Sequence, residues 1–233
     1  MTIKCLAFDL DGTLLLDGSK KIDPRTFDSI QKAMAQGMHI VIASGRDKNG
    51  CKFVYEPLGL ENGNHFLALV NGQIIYDFEN KEYDLDDVLT TEDGIKIQKV
   101  CKEFGVEGIF QCGYDFYSYI SSLNRVKKKV KNAILGEPDD YGLKDGRENR
   151  NFIDLPFEEI RLTQDINKVI MVHTPKFFEK NFDGIKAALS DYDVLLVGPD
   201  WLEIMPKHVS KASALWKICD QLGISMNEVM AFG

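Results

Sequence analysis

This sequence has no long apolar run, no excess of basic residues and no paired-cysteine motif. Across its 233 residues no uninterrupted apolar stretch approaches the roughly 18 residues that a membrane-spanning helix requires. The N-terminus passes straight into a strand-like run, so neither a signal peptide nor a membrane partner is expected. Lys and Arg number 28 against 36 Asp and Glu, a net charge of −8. That balance excludes the broad cationic surface on which nucleic acid or acidic lipid is held. An anionic ligand would need local positive charge, from a metal and one or two cations. Cys5, Cys51, Cys101, Cys112 and Cys219 are scattered and never spaced as Cys-x-x-Cys. This pattern argues for reduced thiols in a cytoplasmic protein, against both a disulfide framework and a zinc site. His39, His65, His173 and His208 fall in no ligand or triad spacing and read as structural or surface residues.

What the chain does have is an acidic turn near its start. The apolar run Ile3 to Phe8 reads as a strand buried on both faces, as in a parallel sheet. It delivers Asp9 and Asp11 into a Gly-Thr turn, within the stretch FDLDGTLLLDG. Two carboxylates at a strand's carboxyl end ask for a cation or donors, because a lone buried carboxylate costs several kcal/mol. Open α/β sheets bind ligands at that end. An EF-hand is excluded: counting from Asp9, its sixth and twelfth positions need Gly and an acid, and hold Leu14 and Lys20. A plain Asp-Gly surface turn is the alternative.

Asp23-Pro24 opens a helix, Phe27, Ile30 and Met34 mark its apolar face, and Gly37 stops it. His39 to Ala43 is a second buried strand, completing a βαβ unit. It ends in Ser44-Gly45-Arg46, where a hydroxyl and a close backbone N–H can meet a phosphoryl oxygen. Asn71-Gly72, between Phe66–Val70 and Ile74–Tyr76, predicts a two-residue type I′ hairpin.

The texture changes from about Glu82. An acidic span precedes a helix capped at Thr90 or Thr91, and an aromatic strand-like region covers residues 109–120. The run KKKVK from Lys127 to Lys131 reads as a solvated helix face. Gly136 to Asn151 reads as a mobile loop. Strand, helix and a strand–turn–strand follow to Met205. Ser210 then caps a helix that carries Lys211 in its first turn and ends at Gly223.

Three of these segments, FDLDGTLL, IASGR and EIMPKHVSKASAL, resemble the first three motifs of the haloacid dehalogenase superfamily, in its Cof-type branch. The resemblance covers essentially the whole chain. It implies an α/β fold with a Rossmann-like, mostly parallel core over residues 1–81 and 207–233, and an inserted α/β cap over 82–206. It also implies a magnesium-dependent hydrolase of small phosphate monoesters, a sugar phosphate or a nucleotide-like cofactor. Asp9 would be the nucleophile and Asp11 the general acid and base. Ser44, Gly45 and Lys211 would bind the phosphoryl group, with Lys211 holding Asp9. Asp9 and Asp11 would seat Mg²⁺, which takes one or two carboxylates, phosphate and waters. His208 and Ala212 stand where the family usually has Gly. The family's fourth, acidic motif would follow EVMAFG, where the given sequence ends. A chain of residues 1–233 is therefore expected to bind magnesium weakly and to expose its last strand. A phosphosugar mutase is one alternative reading. A phosphate-binding module without turnover is another, should residue 233 be the natural end.

Overall fold

The structure, a computed structural model, describes residues 2–15, 21–113, 115–136, 141, 151–157, 159 and 164–233. The chain divides into two compact units, Met1–Asp87 with His208–Gly233, and Val88–Lys207.

The first unit is an α/β sandwich. Its strands are β1 (Cys5–Asp9), β2 (His39–Ala43), β3 (Phe66–Leu69), β4 (Ile74–Asp77), β5 (Glu82–Leu85) and β12 (Val229–Phe232). They lie in the order β12-β1-β2-β3-β4-β5. The first four in that order pair in parallel, while β4 and β5 add antiparallel at one end. Successive residues of β2 explain the unbroken apolar runs. Ile40 and Ile42 pack with Phe8, Leu10 and Ile30 on one face, whereas Val41 packs with Ala7, Phe66 and Ile218 on the other. Both faces are covered, so neither can be polar.

Helices α1 (Pro24–Ala35) and α2 (Lys48–Leu58) cover one face, and α6 (Lys211–Leu222) the other. Asp23 caps α1 as its sequence requires, its carboxylate accepting from the N–H groups of Arg25 and Thr26. Such a cap contributes about 1 kcal/mol. Helix α2 is not apparent from the sequence because Gly50 and Pro57 interrupt it, yet Cys51, Val54, Tyr55 and Leu58 keep helical spacing and are buried.

The second unit holds the remaining strands, β6 (Glu107–Cys112), β7 (Asp115–Tyr119), β8 (Phe152–Leu155), β9 (Lys168–Val172), β10 (Tyr192–Gly198) and β11 (Trp201–Pro206). Their order is β10-β11-β9-β6-β7-β8, antiparallel except for β7 with β8. Helices α3 (Thr91–Phe104) and α5 (Pro175–Ala188) share one core cluster with this sheet. Thr90 caps α3 in a reciprocal box with Asp93. Helix α4 (Ser122–Leu135) carries the expected solvated lysine face, with Lys127, Lys129 and Lys131 exposed and Lys128 the exception. Lys128 turns inward onto Glu107 at 2.7 Å, and Val126, Val130 and Ile134 are exposed as well. The loop expected over Gly136 to Asn151 lies largely outside the described residues.

Candidate active site

Strand β1 is the point where the order of the first sheet reverses. Chain growth from β1 runs through β2 to β3 on one side, and β12 pairs on the other. A crevice opens outside the carboxyl ends of strands at such a switch point. Asp9 is the last residue of β1 and pairs in register with Ala43 of β2, so Ser44 is the next residue up the neighbouring strand. The carboxyl end of β12 arrives there too: a Cβ on Gly233 would lie 3.7 Å from Asp9 Cβ.

Asp9 Oδ1 accepts two hydrogen bonds, from the Leu10 N–H at 2.8 Å and from Lys211 Nζ at 2.7 Å. The lysine crosses 202 positions of sequence to reach it. Asp9 Oδ2 has no hydrogen bond among the described residues. Asp11 is held differently, by a bidentate fork in which Arg46 Nε donates to Oδ2 at 3.0 Å and Nη2 to Oδ1 at 2.7 Å. The turn between the two acids closes with Gly12 at φ +79° and its N–H on the Leu15 carbonyl. Ser44 is buried, and its Oγ accepts the Arg46 N–H at 3.1 Å, which leaves the hydroxyl hydrogen free to donate. Lys211 opens α6 just after Ser210, which caps the helix reciprocally with Ser213. His208 sits at φ +70°, a left-handed conformation that favours glycine.

The residues expected to act together, Asp9, Asp11, Ser44, Gly45 and Lys211, all belong to the first unit and to its strand ends or the helix beside them. Arg46 is the residue whose part the sequence did not reveal. Its place in IASGR was visible, but its partner lies 35 positions away. The cysteines are no rival nucleophiles: all five are buried. Burial pushes the thiols of Cys5 and Cys101 up to about 12.

A magnesium ion fits this end of the sheet. Asp9 Oδ2 and the Asp11 carbonyl are both oxygen donors without a hydrogen bond among the described residues, and magnesium needs few protein ligands when phosphate and water supply the rest. No group of three or more His, Cys, Asp or Glu arranged to hold a metal occurs among the described residues.

The profile of the haloacid dehalogenase-like hydrolases matches residues 6–233, and the chain belongs to that family. A Streptococcus pyogenes serotype M6 protein with a provisional phosphatase name is 29% identical over 242 residues, covering 100% of this chain and 81% of that protein. The 5-amino-6-(5-phospho-D-ribitylamino)uracil phosphatase YitU of Bacillus subtilis is 23% identical, covering 98% and 78%. Among solved structures, a HAD phosphatase from Bacteroides thetaiotaomicron superposes with a TM-score of 0.77 at 18% identity, covering 99% of this chain and 76% of that one. A HAD subclass IIB sugar phosphatase gives 0.72 at 19%, covering 98% and 79%. These superpositions establish the fold. No helix among the described residues is long and apolar enough to cross a membrane.

Proposed function

We propose that this chain is a magnesium-dependent phosphatase of small phosphate monoesters, sugar phosphates or cofactor phosphates, working through an aspartyl phosphate. The observation that carries the reading is the Asp9–Lys211 pair, which leaves one carboxylate oxygen open and aims a cation at the same spot. Asp9 Oδ2 attacks phosphorus, the bond from phosphorus to the ester oxygen breaks, and the Asp11 carboxyl protonates the departing alcohol. Asp11 then takes a proton from water, which attacks the aspartyl phosphate and returns Asp9 with release of inorganic phosphate. Arg46 engages both Asp11 oxygens, so the proton that Asp11 donates must sit on a lone pair the fork leaves open. Lys211 and the Ser44 hydroxyl meet the charge of the transferred group. Asp9 and the Asp11 carbonyl would hold the magnesium ion, which would supply charge neutralisation to the phosphate. Residues 82–206, which resemble the family's inserted cap, would serve to recognise the leaving group and exclude water.

The names of the two phosphatase relatives support this choice of reaction. The test is a screen of phosphate monoesters with and without magnesium, joined to acid-quench trapping. The expected result is phosphoprotein that hydroxylamine cleaves and that is lost in Asp9→Asn. Turnover without any trapped phosphoprotein rejects the covalent route. Transfer of the label to a second hydroxyl of a sugar instead of to water identifies a mutase.

A further inference from the structure

Asn71-Gly72 does not form the two-residue hairpin expected of it. Strands β3 and β4 pair from Leu69 with Ile74, so the connection is the four-residue turn Val70–Gln73. Three of its residues in succession are left-handed: Val70 at φ +49°, Asn71 at +59° and Gly72 at +97°. A buried, β-branched residue in that region is a steric outlier that its surroundings must hold in place.

Those surroundings are the site. The Val70 N–H donates to the Arg46 carbonyl at 2.9 Å, and the Asn71 N–H to the Ser44 carbonyl at 2.9 Å. The Asn71 side chain lies against Gly45 so closely that a Cβ there would stand 2.8 Å from Asn71 Oδ1. On its other side the turn meets α6. A Cβ on Gly72 would fall 2.1 Å from the Ser210 carbonyl oxygen and 2.8 Å from the Lys211 nitrogen. Gln73 locks the turn from behind: fully buried, it donates through Nε2 to the Asp87 carbonyl and accepts the Asp86 N–H. One short turn therefore touches the strand end that carries Ser44, Gly45 and Arg46, and also the helix start that carries Lys211.

We propose that Val70–Asn71–Gly72 is a positioning element for phosphoryl transfer, fixing the start of α6 against the Ser44–Gly45 strand end so that Lys211 reaches Asp9. The proposal rests on the roles given to Asp9, Ser44 and Lys211 above. Its physical content is a spacing. The missing Cβ at Gly72 sets how near the Lys211 backbone comes to the sheet, and a displacement of about 1 Å in such a constellation costs roughly a hundredfold in rate.

The experiment uses the full chain with Gly72→Ala and Asn71→Gly, and reads position separately from turnover. Position is read by competitive acetic-anhydride labelling of Lys211 Nζ, with exposed Lys127 as the internal standard. The charge-assisted hydrogen bond to Asp9 occupies the Lys211 amine and screens it from reagent, so Gly72→Ala, by withdrawing the amine, should raise Lys211 labelling at least about threefold. Turnover of p-nitrophenyl phosphate should fall about a hundredfold in Gly72→Ala. In a Lys211→Ala background the same change should cost less than about twofold, because the two act through one interaction. Unchanged labelling, or equal losses in both backgrounds, overturns the proposal and leaves the turn a merely structural one. Asn71→Gly covers the case in which Gly72→Ala does not fold, since glycine accepts the same φ. It should lower turnover about tenfold with little change in melting temperature, and wild-type turnover in it overturns the proposal. Labelling that responds in a wild-type chain without phosphatase activity rejects the reaction and keeps the positioning. Activity with no labelling response does the reverse.

Discussion

Each unit contains carboxylate–lysine pairs, and they are built to opposite ends. In the second unit Lys168 meets Glu203 at 2.6 Å with side chains 8% and 9% exposed. Glu107 there has both oxygens engaged, taking Ser118 Oγ and Lys128 Nζ on one and the Tyr141 hydroxyl on the other. In the first unit the Asp9 and Lys211 side chains are 32% and 37% exposed, and one Asp9 oxygen is open among the described residues. A pair buried this deeply, or a carboxylate with both oxygens engaged as in Glu107, has little left to offer a ligand. An exposed pair with a spare oxygen adds little to stability, so its geometry is better explained by chemistry. Distance alone, 2.6 or 2.7 Å, does not separate the two cases. Satisfaction does.

The sharpest way to break this comparison is Asp9→Asn. An amide is a poor nucleophile, so turnover should fall by several orders of magnitude while thermal stability hardly moves. Retention of more than about a tenth of the activity would take the nucleophile's role away from Asp9. Asp11→Asn should slow turnover on the order of 10²–10⁴-fold, yet still allow phosphoprotein to be trapped from an activated ester. Loss of that labelling to the same extent as in Asp9→Asn would show that the two acids do not divide the work.

The buried pairs should respond in the other observable. Glu203→Gln leaves Lys168 as an uncompensated buried cation and should destabilise the chain by about 3–5 kcal/mol in denaturant unfolding. Replacing both partners together, Lys168→Met with Glu203→Leu, should recover most of that loss. A double variant as unstable as the single one would mean that the pair itself, not the orphaned charge, holds the sheet.

The smallest effect concerns His65, a buried residue whose Nδ1 accepts the Ile40 N–H at 3.1 Å. Burial, with a smaller contribution from His39, lowers its pKa to about 4. The unfolded chain therefore binds a proton that the folded one refuses between about pH 6.5 and 4. The stability it contributes is complete above that window and drains away as pH falls through it, on the order of 2–3 kcal/mol in all. His65→Asn can keep an acceptor for Ile40 without titrating, so its stability should decline less over the same range. Parallel curves for the two proteins would remove His65 as a cause.

Much of this protein was legible in the chain because local rules sufficed. The boundaries of β2 and the Asp23 cap of α1 follow from apolar runs and capping chemistry that act within a few residues. The acids of FDLDGT, the Ser44–Gly45 turn and Lys211 could each be picked out as candidates, since each sits at an element end that its own neighbours define. Meeting between them was another matter. That Lys211 Nζ rests on Asp9, or that Arg46 forks Asp11, depends on the switch in strand order at β1, which no local pattern encodes. Asn71-Gly72 shows the limit most plainly. Its composition favours a tight hairpin, and that preference, worth only a few kcal/mol at most, yields to the backbone contacts with Ser44, Arg46 and Ser210. Within the solvated lysine run of α4, Lys128 alone departs for a related reason, because Glu107 in a buried sheet demands a cation and Lys128 supplies it. Residue type and spacing determined which groups this chain could use. Only the tertiary structure decided which of them have their hydrogen bonds filled and which keep one open, because that depends on partners far apart in sequence.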